Sequence, residues 1–343
     1  MTIRQLKVAI LCLPCLLLSS CTKNSSSISS AQKPIKLGFI LATMNEERYV
    51  KDKEYFENYA RSKGATVEFA ACDNKVEIQT AKVEALLSKQ IDALIIQPVN
   101  GNTASSMVQM AKRDQIPVIA YDRIITNADI DLYVTQNSFQ VGALQAEAAV
   151  KATAGKGNYI LLMGESGHSV ADEITRGALS VLEKHPNIQI VVKQNHPGWS
   201  TALALATTEN ALTRYHNKIA AVLANNDGMA LGAVQAIEEQ KLTGKIFVAG
   251  ADADLAAMKD IAHDRQSLTI LKGIQPLAEA AVDSALALAT EKIPASDSRL
   301  DNGFKSVPVV NTPVHSVTKE NMDQIVILPG FHSHESIFGS PRT

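Results

Sequence analysis

Val118-Ile119-Ala120-Tyr121-Asp122-Arg123 decides the fold. A β-branched, apolar run without polar alternation reads as a strand covered on both faces, and it ends abruptly in a carboxylate and a guanidinium. That is the place where a parallel sheet presents its ligand groups. The same beat runs upstream, with strands expected at Ile35–Leu41, Val67–Ala71 and Ala93–Gln97. Helical spacing separates them over 46–63, 75–89 and 102–113, for example at Ile78, Ala81, Leu86 and Leu87. Downstream it continues through Leu132–Thr135, Tyr159–Met163, Ile188–Lys193, Ala220–Ala224, Ile246–Gly250 and Leu268–Leu271, with helices starting near Ser169, Thr201, Gly228, Leu255 and Gln275. Strands of this type alternating with helices imply an α/β protein with parallel sheets. There are too many for one open sheet, so the pattern predicts two doubly wound, Rossmann-like lobes that part near Ser138 and face each other across a cleft.

The strand ends are where chemistry is expected. Asp122 accepts hydrogen bonds and Arg123 donates several from a planar fork, which suits the hydroxyls and ring oxygen of a sugar, although a structural ion pair would look the same in sequence. Asn225-Asn226-Asp227, Asp252, Asp254 and Lys272 stand at later strand ends; singly, each reads equally as a helix cap or turn former. Trp199, in His196-Pro197-Gly198-Trp199, and Tyr49 are flat rings that could clamp the apolar faces of a pyranose. Catalytic signatures are missing. Gly164-Glu165-Ser166-Gly167 falls one position short of a nucleophile elbow, Asp252 and Asp254 should point apart at a turn, and no Gly-rich phosphate loop occurs. His332-Ser-His334 lacks metal-ligand spacing. The expectation is a binding protein without cofactor or metal.

The start of the chain addresses its compartment. Arg4 and Lys7 precede the apolar run Val8–Leu18, which is too short to span a bilayer, and Leu18-Ser19-Ser20-Cys21 gives way at once to a Ser-rich stretch. This is the layout of a lipoprotein signal with Cys21 as the lipid-bearing residue; an ordinary signal peptide cleaved nearby is the plainer alternative. Residues 1–20 would then be signal and 21–34 a tether, leaving Cys72 alone in the mature chain with no disulfide partner. The net charge of −2, with both signs dispersed, excludes a basic nucleic-acid surface.

The combined pattern resembles the ribose-type periplasmic binding proteins, and within them the xylose branch that serves ABC importers. The likeness rests on Glu47-Arg48-Tyr49, Ala120-Tyr121-Asp122-Arg123, Asn127-Ala128-Asp129-Ile130-Asp131, Val141-Gly142-Ala143-Leu144-Gln145-Ala146, Gly198-Trp199, Asn226-Asp227, Asp252-Ala253-Asp254-Leu255 and Asn302-Gly303. It implies two lobes joined by three crossovers, comprising 35–137 plus 273–306 and 138–272 plus 307–335, with 336–343 as a tail. By position, it implies that Arg48, Asp122, Arg123, Arg176, Asn226, Asp252 and Lys272 hydrogen-bond a monosaccharide while Tyr49 and Trp199 stack on it. Tyr49, Ser138 and Ala251 depart from the branch, which carries Trp, Asn and Gln there, and the loop Glu165–Ala171 is rewritten. The implied function is a monomeric, lipid-anchored substrate-binding protein that hands its sugar to an ABC permease. A sensor that docks on a kinase or chemoreceptor ectodomain would share the same site.

Overall fold

Strand β1 (Lys36–Leu41) shows why its sheet is covered on both sides. Leu37, Phe39 and Leu41 point to one face and Ile40 to the other, and all four are fully buried. The structure is a computed structural model that describes residues 33–339. After β1 come α1 (Glu47–Ser62), β2 (Thr66–Ala71), α2 (Val76–Ser88), β3 (Ala93–Ile96), α3 (Ser105–Arg113), β4 (Val118–Tyr121) and β5 (Leu132–Gln136). The second run is α4 (Ser138–Ala152), β6 (Gly157–Met163), α5 (Ser169–Leu182), β7 (Ile188–Asn195), α6 (Thr201–Arg214), β8 (Ala221–Ala224), α7 (Asp227–Glu239), β9 (Phe247–Ala251), α8 (Leu255–Ala262) and β10 (Leu268–Lys272). The chain closes with α9 (Ile274–Ala289), β11 (Ser298–Asp301), β12 (Ser306–Thr312), β13 (Val314–Val317) and α10 (His334–Phe338).

Two sheets form among the described residues, in the orders β11-β12-β5-β4-β3-β1-β2 and β13-β10-β9-β8-β6-β7. The parallel part of each follows one doubly wound order, so the carboxyl ends of its strands open toward a crevice at the order reversal. In the first lobe, Phe56 and Ala60 of α1 and Leu277 and Ala281 of α9 pack on Leu37, Phe39 and Ile95, while Val83, Met107 and Val108 cover Ile40, Leu94 and Ile96. In the second, α6 and α7 cover Ile160, Leu162 and Val222, and α4 and α5 cover Tyr159, Leu161 and Leu223. Each such fully buried Leu, Ile, Val, Phe or Met side chain contributes roughly 1.5–3 kcal/mol.

The chain passes between sheets at residues 136–138, 272–274 and 312–314. The third passage corrects the expected boundary. Ser306–Thr312 pairs in parallel with β5, with Val309 opposite Tyr133, and belongs to the first lobe rather than the second. Its neighbour β11 is exposed along its length and Pro308 interrupts β12, so neither carries a strand-like apolar pattern. Residues 313–338 do join the second lobe: β13 runs antiparallel to β10, and Val317, Met322, Val326 and Ile337 form a small core with Met258 and Ile261 of α8. Cys72 is buried and free, its thiol donating to Leu41 O at 3.0 Å. Cys21, the signal, most of the tether and the last four residues lie outside the described residues. Among the described residues no helix is long and apolar enough to cross a membrane.

Candidate functional site

Strand β4 delivers Asp122 in the left-handed region, at φ 63°. Its carbonyl accepts from Tyr133 Oη (2.9 Å) and Thr135 Oγ1 (3.2 Å), which fixes the strained turn from the neighbouring strand. The carboxylate is buried, accepting from Gln97 Nε2 at 2.9 Å and Arg48 Nη2 at 3.4 Å. Burial opposes its charge, yet Arg48, Lys272 and Arg123 together hold the carboxyl below its ordinary value. Arg48 comes from the first turn of α1, which begins at the carboxyl end of β1, and its Nε also donates to Asp52 Oδ2 at 3.4 Å. Asp52 accepts from the Tyr121 hydroxyl, and burial raises its carboxyl to about 6 despite Arg48. Arg123 donates to Pro98 O (3.2 Å) and Tyr49 Oη (3.1 Å). Tyr49 is itself buried, which pushes its hydroxyl up to about 12.

The second lobe answers with Asp252, at the end of β9 and again at positive φ, 107°. Its Oδ1 lies 2.6 Å from Lys272 Nζ and 3.7 Å from Arg48 Nη1. Arg48 therefore touches carboxylates of both lobes, and the two lobes meet through it. Trp199 sits in a Pro-Gly turn with its ring laid on the backbone of Gly164, where a Cβ would come within 2.5 Å of the indole. Only glycine leaves the indole that seat. His168 stands edge-on to the indole, with centroids 5.1 Å apart, and burial, reinforced by Arg123, drives its imidazole down to about 3.

Outside this buried group lies a cleft of about 660 Å³, walled by Glu46, Asn100 and Arg123 from the first lobe and by Glu165, His168 and Trp199 from the second. A separate, more apolar hollow of about 430 Å³ lies at the second and third crossovers, and none of these cleft residues lines it. The cleft with the convergent polar side chains is the site. Among the described residues no cluster of His, Cys, Asp and Glu could hold a metal ion.

Of the residues read from sequence, Arg48, Asp122, Arg123, Asp252 and Lys272 converge, and Trp199 lines the same cleft as Arg123 from the other lobe. Four do not take their expected places. Arg176 lies on the solvent face of α5, bonded to Glu173 (3.1 and 2.5 Å) and stacked over Phe139, because the helix buries positions 174, 175, 177 and 178 instead. Ser138 turns its hydroxyl toward Gln136 O (3.5 Å) at the first crossover and lines a neighbouring depression. Asn226 caps α7, accepting from Met229 N at 2.9 Å. Tyr49 does not line the cleft and supports Arg123 from behind. Asp227 likewise is structural: it accepts from Asp254 N (2.9 Å), Thr269 Oγ1 (2.8 Å) and Gln266 Nε2 (3.1 Å), and burial, with Asp254 and Asp252 nearby, holds its carboxyl well above the ordinary value. Sequence reading missed Gln97, Glu46 and His168. The last two follow strands β1 and β6 at the same kind of strand end that singled out Asp122, which was the available signal.

A family model described as periplasmic binding protein domain matches residues 37–293. The chain belongs to the ribose-type periplasmic binding proteins. This periplasmic binding protein is 38% identical over 315 residues to the D-xylose-binding periplasmic protein of Haemophilus influenzae, covering 91% of this chain and 95% of that one. It is also 38% identical over 327 residues to the D-xylose-binding periplasmic protein of Escherichia coli, covering 94% and 98%. Among solved structures, a carbohydrate transporter solute binding protein from Chloroflexus aurantiacus, in complex with D-glucose, superposes with TM-score 0.83 at 29% identity, covering 90% of this chain and 100% of that one. Periplasmic binding proteins of this type bind solutes without turning them over, so the chain is not an enzyme.

Proposed function

We propose that this chain is the substrate-binding lipoprotein of a sugar ABC importer, that it closes its two lobes on one monosaccharide, D-xylose or a related pentose or hexose, and that the loaded form engages a membrane permease. The observation that carries the reading is Arg48, held 3.4 Å from Asp122 and 3.7 Å from Asp252, one carboxylate from each lobe. A cation shared across the cleft joins the walls, and a hydroxylated ligand can replace those long contacts with shorter ones to the same groups. Trp199 offers an aromatic surface on the adjoining cleft, the relatives named for D-xylose match this chain in sequence along nearly their whole length, and the structure holding D-glucose shares its fold. Binding energy spent on both walls shifts the population toward the closed form. A single chain supplies both walls, so the working unit is a monomer.

Export and anchoring belong to the same proposal, with Cys21 as the lipidated residue. Labelled fatty acid should enter the wild type and not Cys21→Ser, and the variant should leave the membrane fraction. For binding, calorimetry against D-xylose, D-ribose, L-arabinose, D-glucose and D-galactose should show at least one clear binder. Asp122→Ala and Arg123→Ala should each weaken that binding by about 100-fold, because truncation leaves the remaining buried partners unpaired. No heat from any of the five sugars would refute the assignment.

A further inference from the structure

Three buried polar atoms at the cleft wall are hydrogen-bonded to nothing in the protein: Glu46 Oε2, Arg123 Nε and His168 Nδ1. Folded proteins rarely strand buried polar atoms, and here three converge on one cavity from three different strand ends and from both lobes. Glu46 precedes α1, Arg123 follows β4, and His168 precedes α5. Two of the three residues are otherwise well held: Arg123 by Pro98 and Tyr49, His168 by the Trp199 edge. Arg123 Nε and His168 Nδ1 are therefore aimed by their surroundings, and Glu46 lines the same cavity from the start of α1.

Their chemistry constrains the partner. An ionised Glu46 can only accept, Arg123 Nε can only donate, and a neutral imidazole takes either part according to tautomer. A hydroxyl satisfies all three kinds of group, since it donates and accepts at once. A carboxylate satisfies Arg123 but sets its charge against Glu46, and the charge-bearing donors that could offset it are already committed: Arg48 to Asp52, Asp122 and Asp252, and Lys272 to Asp252. Glu165 and Asp172 on the same cavity wall add to the repulsion.

Resting on the sugar-binding reading above, we propose that Glu46 and His168 contact the ligand directly from opposite lobes, and that Glu46 selects neutral sugars against their uronic-acid counterparts. The pair deepens the site beyond the groups that converge on Arg48. The test is calorimetry of the full chain with D-xylose, D-glucose and D-glucuronate, using the wild type, Glu46→Gln and His168→Val. The wild type should take a neutral sugar and discriminate against D-glucuronate by 100-fold or more. Glu46→Gln should lose at least tenfold for the neutral sugar and narrow the gap to D-glucuronate by tenfold. His168→Val should lose at least fivefold for the neutral sugar. Sugar-free melting temperatures of both variants should equal or exceed that of the wild type, which separates contact from folding, because His168→Val removes a stranded polar atom and Glu46→Gln removes a charge that burial disfavours. Either variant binding within twofold of the wild type would overturn the contact it tests, and an unchanged preference in Glu46→Gln would overturn the selectivity. A wild type that binds neither neutral sugar would instead bring down the underlying sugar reading, and this proposal with it.

Discussion

Asp122 and Asp252 end the fourth strands of the two lobes and obey the same local rule. Each sits at positive φ, and each backbone N–H is bonded to the neighbouring strand, to Val134 O at 2.8 Å and Ile270 O at 2.9 Å. Their partners differ. Asp122 is held by Gln97 and Arg48, both from its own lobe. Asp252 is held by Lys272, beside the second crossover, and by Arg48 from the opposite lobe. The first wall of the cleft is thus organised before any closure, whereas the second owes part of its electrostatic pairing to where the lobes stand. One fold, used twice, supplies one jaw paired within itself and one paired partly across the cleft.

The largest expected effect comes from removing the group common to both. Arg48→Met leaves Asp52, Asp122 and Asp252 buried without their shared cation and should cost about 3–5 kcal/mol of stability in denaturant melts. A loss under 1 kcal/mol would mean that Arg48 does not organise either jaw. Acid should strike next, through His168. Its folded value of about 3 lies below the ordinary 6.5, so below pH 6.5 the unfolded chain takes up a proton that the fold refuses. Stability then falls as pH drops from 6.5 toward 3, by roughly 3 kcal/mol at pH 4. Asp52 works in the opposite sense: with its carboxyl raised from 3.8 to about 6, its contribution is present at low pH and is lost as pH rises through 6. Comparing wild type with His168→Phe isolates the histidine, and the variant should lose less stability on acidification.

Asp252→Asn sharpens the contrast between the jaws. It should shift the sugar-free population toward a larger radius of gyration in solution scattering, by about tenfold in the open-to-closed ratio, whereas Asp122→Asn should leave the radius unchanged. Equal shifts would erase the distinction. A smaller effect is expected at Gly164→Ala, where the new Cβ displaces the indole. Affinity should fall severalfold, and the emission of Trp199, the lone tryptophan, should move even without sugar. Smallest is Arg176→Ala, which removes an exposed pair with Glu173 and should change stability by less than about 0.5 kcal/mol and leave affinity alone. A marked affinity loss there would restore the role that the family resemblance implied.

Elements buried on both sides were the most legible in the sequence, because continuous apolar runs such as Ala93–Ile96 and Ala221–Ala224 have no other stable use. Asp122 and Arg123 stood out for the complementary reason, as charge placed where a buried strand stops. Legibility failed where contacts depend on distant chain. Pro-containing β12 takes its place from pairing with β5, and exposed β11 from pairing with β12, which no local pattern announces. Arg176 and Ser138 were placed by likeness, and their side chains follow the packing of their own helices. Glu46 fell inside the helical spacing of 46–63 and His168 inside the loop that departs from the xylose branch, so neither stood out as a ligand group, and only the assembled cleft brings the two together.

The three passages between lobes also dictate an order of assembly. A chain lengthening from its amino end completes β1 to β5 early, but β5 stays an open sheet edge until Ser306–Thr312 is made, after the entire second parallel sheet has been spelled out. Neither half can be cut out as one continuous segment and keep all its strands. An unpaired edge of this kind invites wrong partners, so the interval before β12 arrives is when the nascent protein is most exposed to aggregation.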